Sequence, residues 1–251
     1  MSGHSKWSSI KHKKGAADAK RGKLFSKLAR AIIVAAREGG PDPAGNLALQ
    51  NAIEKARSYS MPKDNIERAI ARGSGTGSDS EAFEQITYEG YGPNGVAIIV
   101  EALTDNRNRT ASEIRHVFSK HDGNLGTSGA VAWLFERRGI ILVDGDTADE
   151  DDVMLAAAEG GADDVVEDGS SFQVTTSPES LTAVREALQQ AGISIDSAET
   201  TMVPKTTVEL GDEAAARKTL RLIDALEELD DVNEVYANFD IPEQVLEAAA
   251  S

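Results

Sequence analysis

Two cationic clusters near the amino terminus are the residues best suited to chemistry on a ligand. Ser5-Lys6-Trp7 joins a cation to an aromatic ring, and Lys11-His12-Lys13-Lys14 is almost wholly cationic. Lysines contact phosphates, and an indole ring can stack on an unpaired base. We predict that nucleic acid is bound by these side chains and by further cations just after them: Lys6, Trp7, Lys11, His12, Lys13, Lys14, Lys20, Arg21 and Lys23. The alternative is a solubilising tail, with Trp7 packed against the helices that follow.

A second candidate site surrounds Arg107 and Arg109. Thr110 and Glu113 have the spacing of a capping box, which predicts that a helix begins at Thr110. Free amides at such a helix start, together with two guanidinium groups, would favour an anion. The alternative is that both arginines pair with nearby acids such as Glu101 or Asp105.

A third candidate is the turn from Met61 to Asn65 and the helix that follows it. Lys63, Asn65 and Arg68 are its candidate nucleic-acid ligands. Asn65, Arg68 and Arg72 could aim at base edges in a major groove, although Glu67 on the same helix opposes this. The alternative is a plain connection between two helices.

Enzymatic chemistry is not indicated. The chain has no Cys and no phosphate-binding, nucleophile-elbow or zinc-protease motif. The glycines at 123, 126 and 129 lack a lysine and sit between a predicted helix and strand. Glu113, His116 and His121 form only one part of a metal-ligand pattern, and the acidic run 149–152 is typical of a solvated face. We predict no catalytic residue, no metal, no cofactor and no small-molecule substrate.

Charge is distributed very unevenly along the 251 residues, whose net charge is −16. Residues 1–72 carry 15 Lys and Arg against 6 Asp and Glu, whereas residues 139–251 carry 5 against 27. A basic head on an acidic body excludes a protein that wraps duplex DNA with its whole surface, and it directs an anionic partner to the head. We expect no membrane span and no signal peptide, because no apolar run is long enough.

Hydrophobic periodicity predicts the elements that position these side chains. A basic arm covers 1–22, and helices over 23–38, 46–59 and 64–72 form a bundle over 23–73. Asp64 has the capping-box spacing for the third helix, and Gly73 is a candidate stop. A glycine- and serine-rich linker follows over 73–80.

The rest of the chain alternates strands and helices. Residues 139–203 have the order β-α-β-β-α-β of a ferredoxin-like unit, with Thr147 capping its first helix. We place a strand at 131–135, a turn at 137–139 and the next strand at 140–143. Residues 81–138 and 204–251 would then make one discontinuous α/β domain. The predicted fold class is a multi-domain α+β protein: an N-terminal three-helix bundle plus two α+β domains, the ferredoxin-like one inserted into the other.

Four segments resemble the YebC/PmpR family, and together with the chain's overall pattern they extend the resemblance over essentially its whole length. They are the opening 1–23, then MPKDNIERAI from Met61, YEGYGPNGV from Tyr88 and LTDNRNRT from Leu103. Asp122 departs from the pattern, where a glycine is expected.

The resemblance implies three domains and a non-enzymatic role in gene expression. The family is generally described as probable DNA-binding transcriptional regulators, while some relatives look like translation activators on the ribosome. Because Met1 begins the motif directly, we expect a bacterial cytoplasmic protein.

Composition and motifs leave the partner open. A narrow, strongly charged head favours folded RNA, including ribosomal RNA, since Lys-rich arms fold on binding such targets. The family description favours DNA. An adaptor whose acidic domain binds a basic protein is a third possibility.

Overall fold

A computed structural model describes residues 18–75, 83–145, 147–168, 171–242 and 245. The protein is a mixed α+β chain that divides into two compact units. The first draws on Met1–Leu134 and Pro204–Ser251, and the second is Phe135–Val203. Among the described residues, no helix combines the length and the apolar character needed to cross a membrane.

Three helices open the first unit: α1 (Asp18–Gly39), α2 (Leu47–Ser58) and α3 (Lys63–Gly73). Their apolar faces share one core, in which Ile32 and Leu49 are fully buried. This follows from apolar residues repeated at helical spacing. The helices form as predicted, except that α1 includes residues 18–22, which we had assigned to the arm. Ala19, Lys20 and Arg21 are good helix formers, so the helix extends through them.

Glycine and asparagine fix how these helices meet. Asn46 caps α2 by accepting from the Leu49 N–H, and its amide donates to the carbonyls of Ala35 and Gly40. Helix α3 ends at Gly73, as predicted, with Ser74 as its C-cap residue. A Cβ on Gly73 would lie 2.4 Å from the Ile33 carbonyl oxygen, so glycine permits close approach of α1 and α3.

The cap predicted at Asp64 is wrong. Helix α3 begins at Lys63 with Pro62 as its N-cap residue and no side-chain cap. The Pro62 carbonyl accepts from the amides of Asn65 and Ile66. Proline has a fixed φ close to the helical value, so it can start the helix without a capping side chain.

A four-stranded sheet and two helices complete the first unit. The elements are β1 (Glu84–Tyr91), β2 (Ala97–Thr104), α4 (Arg107–Lys120), β3 (Asn124–Leu125), β8 (Val208–Glu209), α7 (Glu213–Glu227), β9 (Val232–Ala237) and β10 (Phe239–Asp240). The strand order is β3-β1-β2-β9, and a parallel pair joins β8 to β10. Helices α4 and α7 and the sheet share one core, where Ile114, Phe118 and Leu222 are fully buried.

The start of α4 differs from the prediction. Asn106 is the N-cap and accepts from the Arg109 N–H at 3.1 Å, so the helix begins before Thr110. Thr110 is a buried residue inside the helix. Its hydroxyl donates to the Asp231 carboxylate at 2.7 Å, because a buried hydroxyl needs a partner and the capping position is already filled.

The strand predicted at 131–135 is also wrong for most of its length. Residues Ala132–Leu134 form a short 3₁₀ turn, and the next strand begins at Phe135. The Glu89 carboxylate accepts from the backbone N–H groups of Gly129, Val131 and Ala132. These contacts use the amides that strand pairing would have needed.

The second unit contains four strands and two helices in the predicted chain order. They are β4 (Phe135–Asp144), α5 (Glu150–Gly160), β5 (Asp164–Asp168), β6 (Ser171–Thr176), α6 (Leu181–Gln190) and β7 (Ile195–Pro204, whose last residue falls outside the unit's bound). The sheet order is β5-β6-β4-β7, so β6 lies between the strands that α5 connects and is antiparallel to both. Val143, Val153 and Leu188 are fully buried in its core.

Two details of this unit correct the prediction. There is no turn at 137–139, because Gly139 pairs with Thr176 inside a continuous β4. A Cβ on Gly139 would lie 2.8 Å from the Thr176 methyl group, so this glycine serves packing. Asp149, rather than Thr147, caps α5 by accepting from the Asp151 N–H.

Candidate nucleic-acid interface

One side of the helical bundle is neutralised by acids of its own unit. We call this side the docking face and define it by four cations of α1 and α2: Lys23, Lys27, Arg30 and Lys55. All four contact the segment 227–234, at the end of α7 and the start of β9. The long-range charge asymmetry of the sequence is therefore partly cancelled inside the first unit.

The docking-face contacts differ in burial. Arg30 donates from one nitrogen to the Asp231 carboxylate at 3.2 Å and to the Asp230 carbonyl at 2.9 Å. Lys55 lies 2.5 Å from the Glu234 carboxylate. Lys27 donates to the carbonyl of Glu227. Burial lowers the pKa of the Lys27 ammonium to about 8, and the Glu227 carboxylate only partly opposes that shift.

Asp231 is the centre of the contact between the bundle and the sheet. Its carboxylate is almost fully buried and accepts from Arg109 at 2.7 Å, from Thr110 at 2.7 Å and from Thr104 at 3.1 Å, besides Arg30. Burial by itself raises the pKa of a carboxyl, but the hydrogen bonds from Arg109, Thr110 and Thr104 hold the pKa of Asp231 below its usual value.

The two arginines predicted to bind an anion are engaged with acids. Arg109 lies 2.7 Å from the Asp105 carboxylate and also contacts Asp231. The pair with Asp105 is the one that the alternative interpretation, pairing with a nearby acid, had named. Arg107 lies 3.6 Å from the Glu84 carboxylate, and both side chains are largely exposed. Because Asp231 comes 122 residues after Arg109, sequence spacing gave no signal for this pair. Anion binding at Arg107 and Arg109 stays a prediction.

A second side of the bundle carries a groove between α1 and α3, which we call the α1–α3 groove. Its volume is about 290 Å³. Apolar side chains line most of it, and polar side chains come from both helices. The lining residues are Phe25, Ser26, Ala29, Ile33, Met61, Asn65, Arg68, Ala69 and Arg72.

The structure brings two of the predicted ligands together at this groove. Arg68 donates two hydrogen bonds here. Its Nη2 donates to the side-chain oxygen of Asn65, and its Nε donates to the Asp64 carbonyl at 3.1 Å. No carboxylate pairs with Arg68 in the part of the chain that the structure describes. Lys63, the first residue of α3, is highly exposed and forms an ion pair with Glu67 at 3.5 Å. Lys63 does not line the groove.

The remaining predicted ligands belong to the start of the chain. Lys6, Trp7, Lys11, His12, Lys13 and Lys14 lie outside the described residues. Lys20 and Arg21 lie in the first turns of α1. Lys23 is exposed on the docking face, where it lies 3.3 Å from Asp230. The arm therefore leads into the helix that supplies one wall of the groove.

Sequence reasoning missed the apolar part of the groove. Phe25 lies within the predicted helix 23–38 and Met61 at the start of the predicted turn, but neither was a candidate ligand. The i, i+3 spacing of Asn65 and Arg68 does predict that these two meet. Their position beside Phe25 depends on the packing of α1 against α3, for which sequence gives no local signal. Across the described residues, no group of three or more His, Asp or Glu side chains is placed to hold a metal ion.

Comparisons with known proteins cover nearly the whole chain. Residues 5–76 match the TACO1/YebC protein N-terminal domain, and residues 83–239 match the TACO1/YebC second and third domain. A probable transcriptional regulatory protein of Rubrobacter xylanophilus is 62% identical over 250 residues, with 100% of both chains covered. One of the same description from Desulfotalea psychrophila is 55% identical, again with 100% of both chains covered.

A solved structure agrees with these sequence matches. The crystal structure of a conserved hypothetical protein from Aquifex aeolicus is 52% identical, with a TM-score of 0.79. The match covers 91% of this chain and 94% of that one. By the two domain matches and these identities, the chain belongs to the TACO1/YebC family, the YebC/PmpR family that its opening motif indicated.

Proposed function

We propose that the chain is a non-enzymatic, nucleic-acid-binding regulator of gene expression. Its relatives in Rubrobacter and Desulfotalea are described as probable transcriptional regulatory proteins. A regulator of this kind needs a surface that attracts phosphate. In this chain that surface would be the basic arm together with the α1–α3 groove of the bundle.

The proposal rests on one observation: the cations on one side of the bundle are paired with carboxylates, whereas Arg68 on the other side is not, among the described residues. Cations of the docking face are matched by acids of 227–234, so a phosphate there would have to displace them. Arg68 on the other side is exposed and has no carboxylate partner within the described residues. A phosphate can approach it without such competition.

DNA is the partner implied by the relatives' description, and regulation of transcription is our first candidate. The second is a ribosome-associated translation factor or activator that contacts ribosomal RNA. One contact favours it: Arg68 donates to the Asn65 side chain, which ties together two groups that a major-groove reader would aim separately at base edges.

We propose for this chain the ligands, the domain layout and the cellular location that its sequence predicts. The ligands would be the fourteen candidate residues named above, with Lys23, Arg107 and Arg109 subordinate because they are already paired with acids. The layout would be arm, three-helix bundle and two α+β domains, with a ferredoxin-like domain inserted in the other. The protein would act in the cytoplasm without a cofactor or a membrane.

Ultraviolet crosslinking in cells, with sequencing of both recovered RNA and recovered DNA, tests the proposal. Crosslinks concentrated on ribosomal RNA select the translation factor, and peaks at a few promoters select the transcription regulator. Background recovery of both nucleic acids would refute nucleic-acid binding itself.

A purified variant tests the arm. Replacing Lys11, Lys13 and Lys14 by Glu removes up to three phosphate contacts. The magnitude of the slope of log affinity against log salt should then fall by up to about 2 to 3, since each contact contributes roughly 0.7 to 0.9. Unchanged affinity and slope in a variant with the wild-type circular dichroism spectrum would contradict a role for the arm.

A further inference from the structure

We propose that the α1–α3 groove receives one unpaired base of an RNA strand, while Arg68 contacts an adjacent phosphate. This inference rests on the proposed function and specifies the ligand at its site. It concerns a pocket for a base, whereas the lysines of the arm that the purified variant replaces would contact backbone phosphates. The two can therefore fail separately.

The floor of the groove has the chemistry that a base requires. Phe25 is half-buried, so part of its ring is accessible, and Ala29, Ile33 and Met61 add apolar surface. Bases stack on aromatic rings whatever their sequence, because every base has a π face.

The rim has the chemistry of a nucleotide's polar edges. Asn65 carries amide donors besides the oxygen that accepts from Arg68. Arg68 uses Nε and one Nη2 hydrogen for the Asp64 carbonyl and Asn65, so its other N–H groups have no partner among the described residues. Those two bonds restrain the guanidinium beside the groove. A restrained fork of donors is well suited to a phosphate.

The shape of the site favours an unpaired nucleotide over a duplex. In a duplex the base faces are stacked and only the edges are accessible, so an apolar floor with an aromatic ring has nothing to contact. Loops and bulges of folded RNA present splayed bases that stack on aromatic and guanidinium groups.

Binding of the full-length protein to matched RNA hairpins tests the inference. One hairpin has an intact adenine-rich loop, and the others each have one abasic loop position. Wild-type protein should bind the best intact loop about 10-fold more tightly than its abasic counterpart, as expected for loss of one stacked base. A 2-aminopurine at that position should change its fluorescence on binding.

Three variants assign the effect to the groove. Phe25→Leu keeps an apolar side chain but removes the ring, so the preference for the intact loop should disappear. Arg68→Gln should lower the affinity for both the intact and the abasic hairpin several-fold. Because Arg68 is exposed, the fold should survive. Arg57→Ala, which removes an exposed cation of α2 that does not line the groove, should preserve the preference. Thermal unfolding confirms that each variant is folded.

Three outcomes would overturn the inference. Equal affinity for the intact and every abasic loop, with the arm variant still impaired, refutes the base pocket and leaves the proposed function in place. Equal or tighter binding to the single-stranded or duplex DNA of the same sequence refutes the assignment to RNA. Failure of the protein to bind any of these nucleic acids refutes both.

Discussion

Replacement of Asp231 is the sharpest test of how the bundle is held against the sheet. Its carboxylate accepts hydrogen bonds from Arg30, Arg109, Thr104 and Thr110 and is 5% exposed. Asp231→Ala leaves two cations and two hydroxyls without this acceptor. Loss of one partner from a buried ionic group costs about 3 to 5 kcal/mol. Because Arg109 is partly exposed and keeps Asp105, we expect the lower end, about 3 kcal/mol.

Two further variants separate charge from shape. Asp231→Asn keeps an oxygen that accepts hydrogen bonds but removes the charge, and should cost about 2 kcal/mol. Asp230→Ala is the matched control. Its carboxylate is 74% exposed and contacts only Lys23 among the charged groups seen in the described residues, so the change should stay within about 0.5 kcal/mol.

Urea unfolding followed by circular dichroism measures these differences. Hydrogen exchange of peptides from α1 and β9 then shows whether the loss is local to the contact. The pKa of Asp231 is lower in the folded protein than its usual 3.8. Its stabilisation is therefore complete above about pH 4 and is lost as pH falls through the folded pKa, so wild type and Asp231→Asn should converge in acid.

A loss below about 1 kcal/mol for Asp231→Ala, with an unchanged urea slope, would refute the reasoning. It would mean that Arg30 and Arg109 find equivalent partners at no cost. The reasoning would also be refuted if Asp231→Ala lowered the free energy of unfolding by no more than Asp230→Ala does.

Two other perturbations test helix packing and buried charge. Gly73→Ala places a methyl group 2.4 Å from the Ile33 carbonyl and should cost about 1 to 3 kcal/mol in thermal unfolding. Its control, Gly22→Ala, meets no atom within 4 Å and should stabilise α1 by about 0.5 to 1 kcal/mol; a cost equal to that of Gly73→Ala would contradict the packing argument. Because the folded pKa of Lys27 is about 8 and its usual value 10.5, the unfolded state binds more protons between these values. The contribution of Lys27 to stability should rise with pH across that window, and Lys27→Met should remove this rise in urea titrations at pH 8 and 10; an unchanged pH dependence in the variant would refute it.

Local signals in the sequence predicted most elements but not their caps. Apolar repeats located the helices because burial of a stripe is a property of each segment by itself. Thr110 and Thr147 have correct capping-box spacing, yet Asn106 and Asp149 cap these helices. The hydroxyl of Thr110 instead contacts a carboxylate 121 residues away, and no local rule contains that partner.

The same limit applies to the sites. Alternation at 131–135 resembled a strand, but Glu89 holds the amides of that segment from about 40 residues away. Arg109 was recognised as a candidate ligand, while its partner Asp231 belonged to the other half of a discontinuous unit. Asn65 and Arg68 were predicted because both lie on one helix, from which they could aim at base edges. Phe25 was not, because the groove exists only after α1 and α3 have packed.

The docking face also has a consequence for the order in which the chain folds during synthesis. Arg30 leaves the ribosome 200 residues before Asp230, with which it must pair, while residues 135–203 form a continuous unit that can fold as soon as they emerge. Until segment 227–234 is made, the cations of the nascent bundle lack the acids that later match them. The first unit therefore reaches its final charge distribution only at the end of translation, when its earliest helix meets its latest strands.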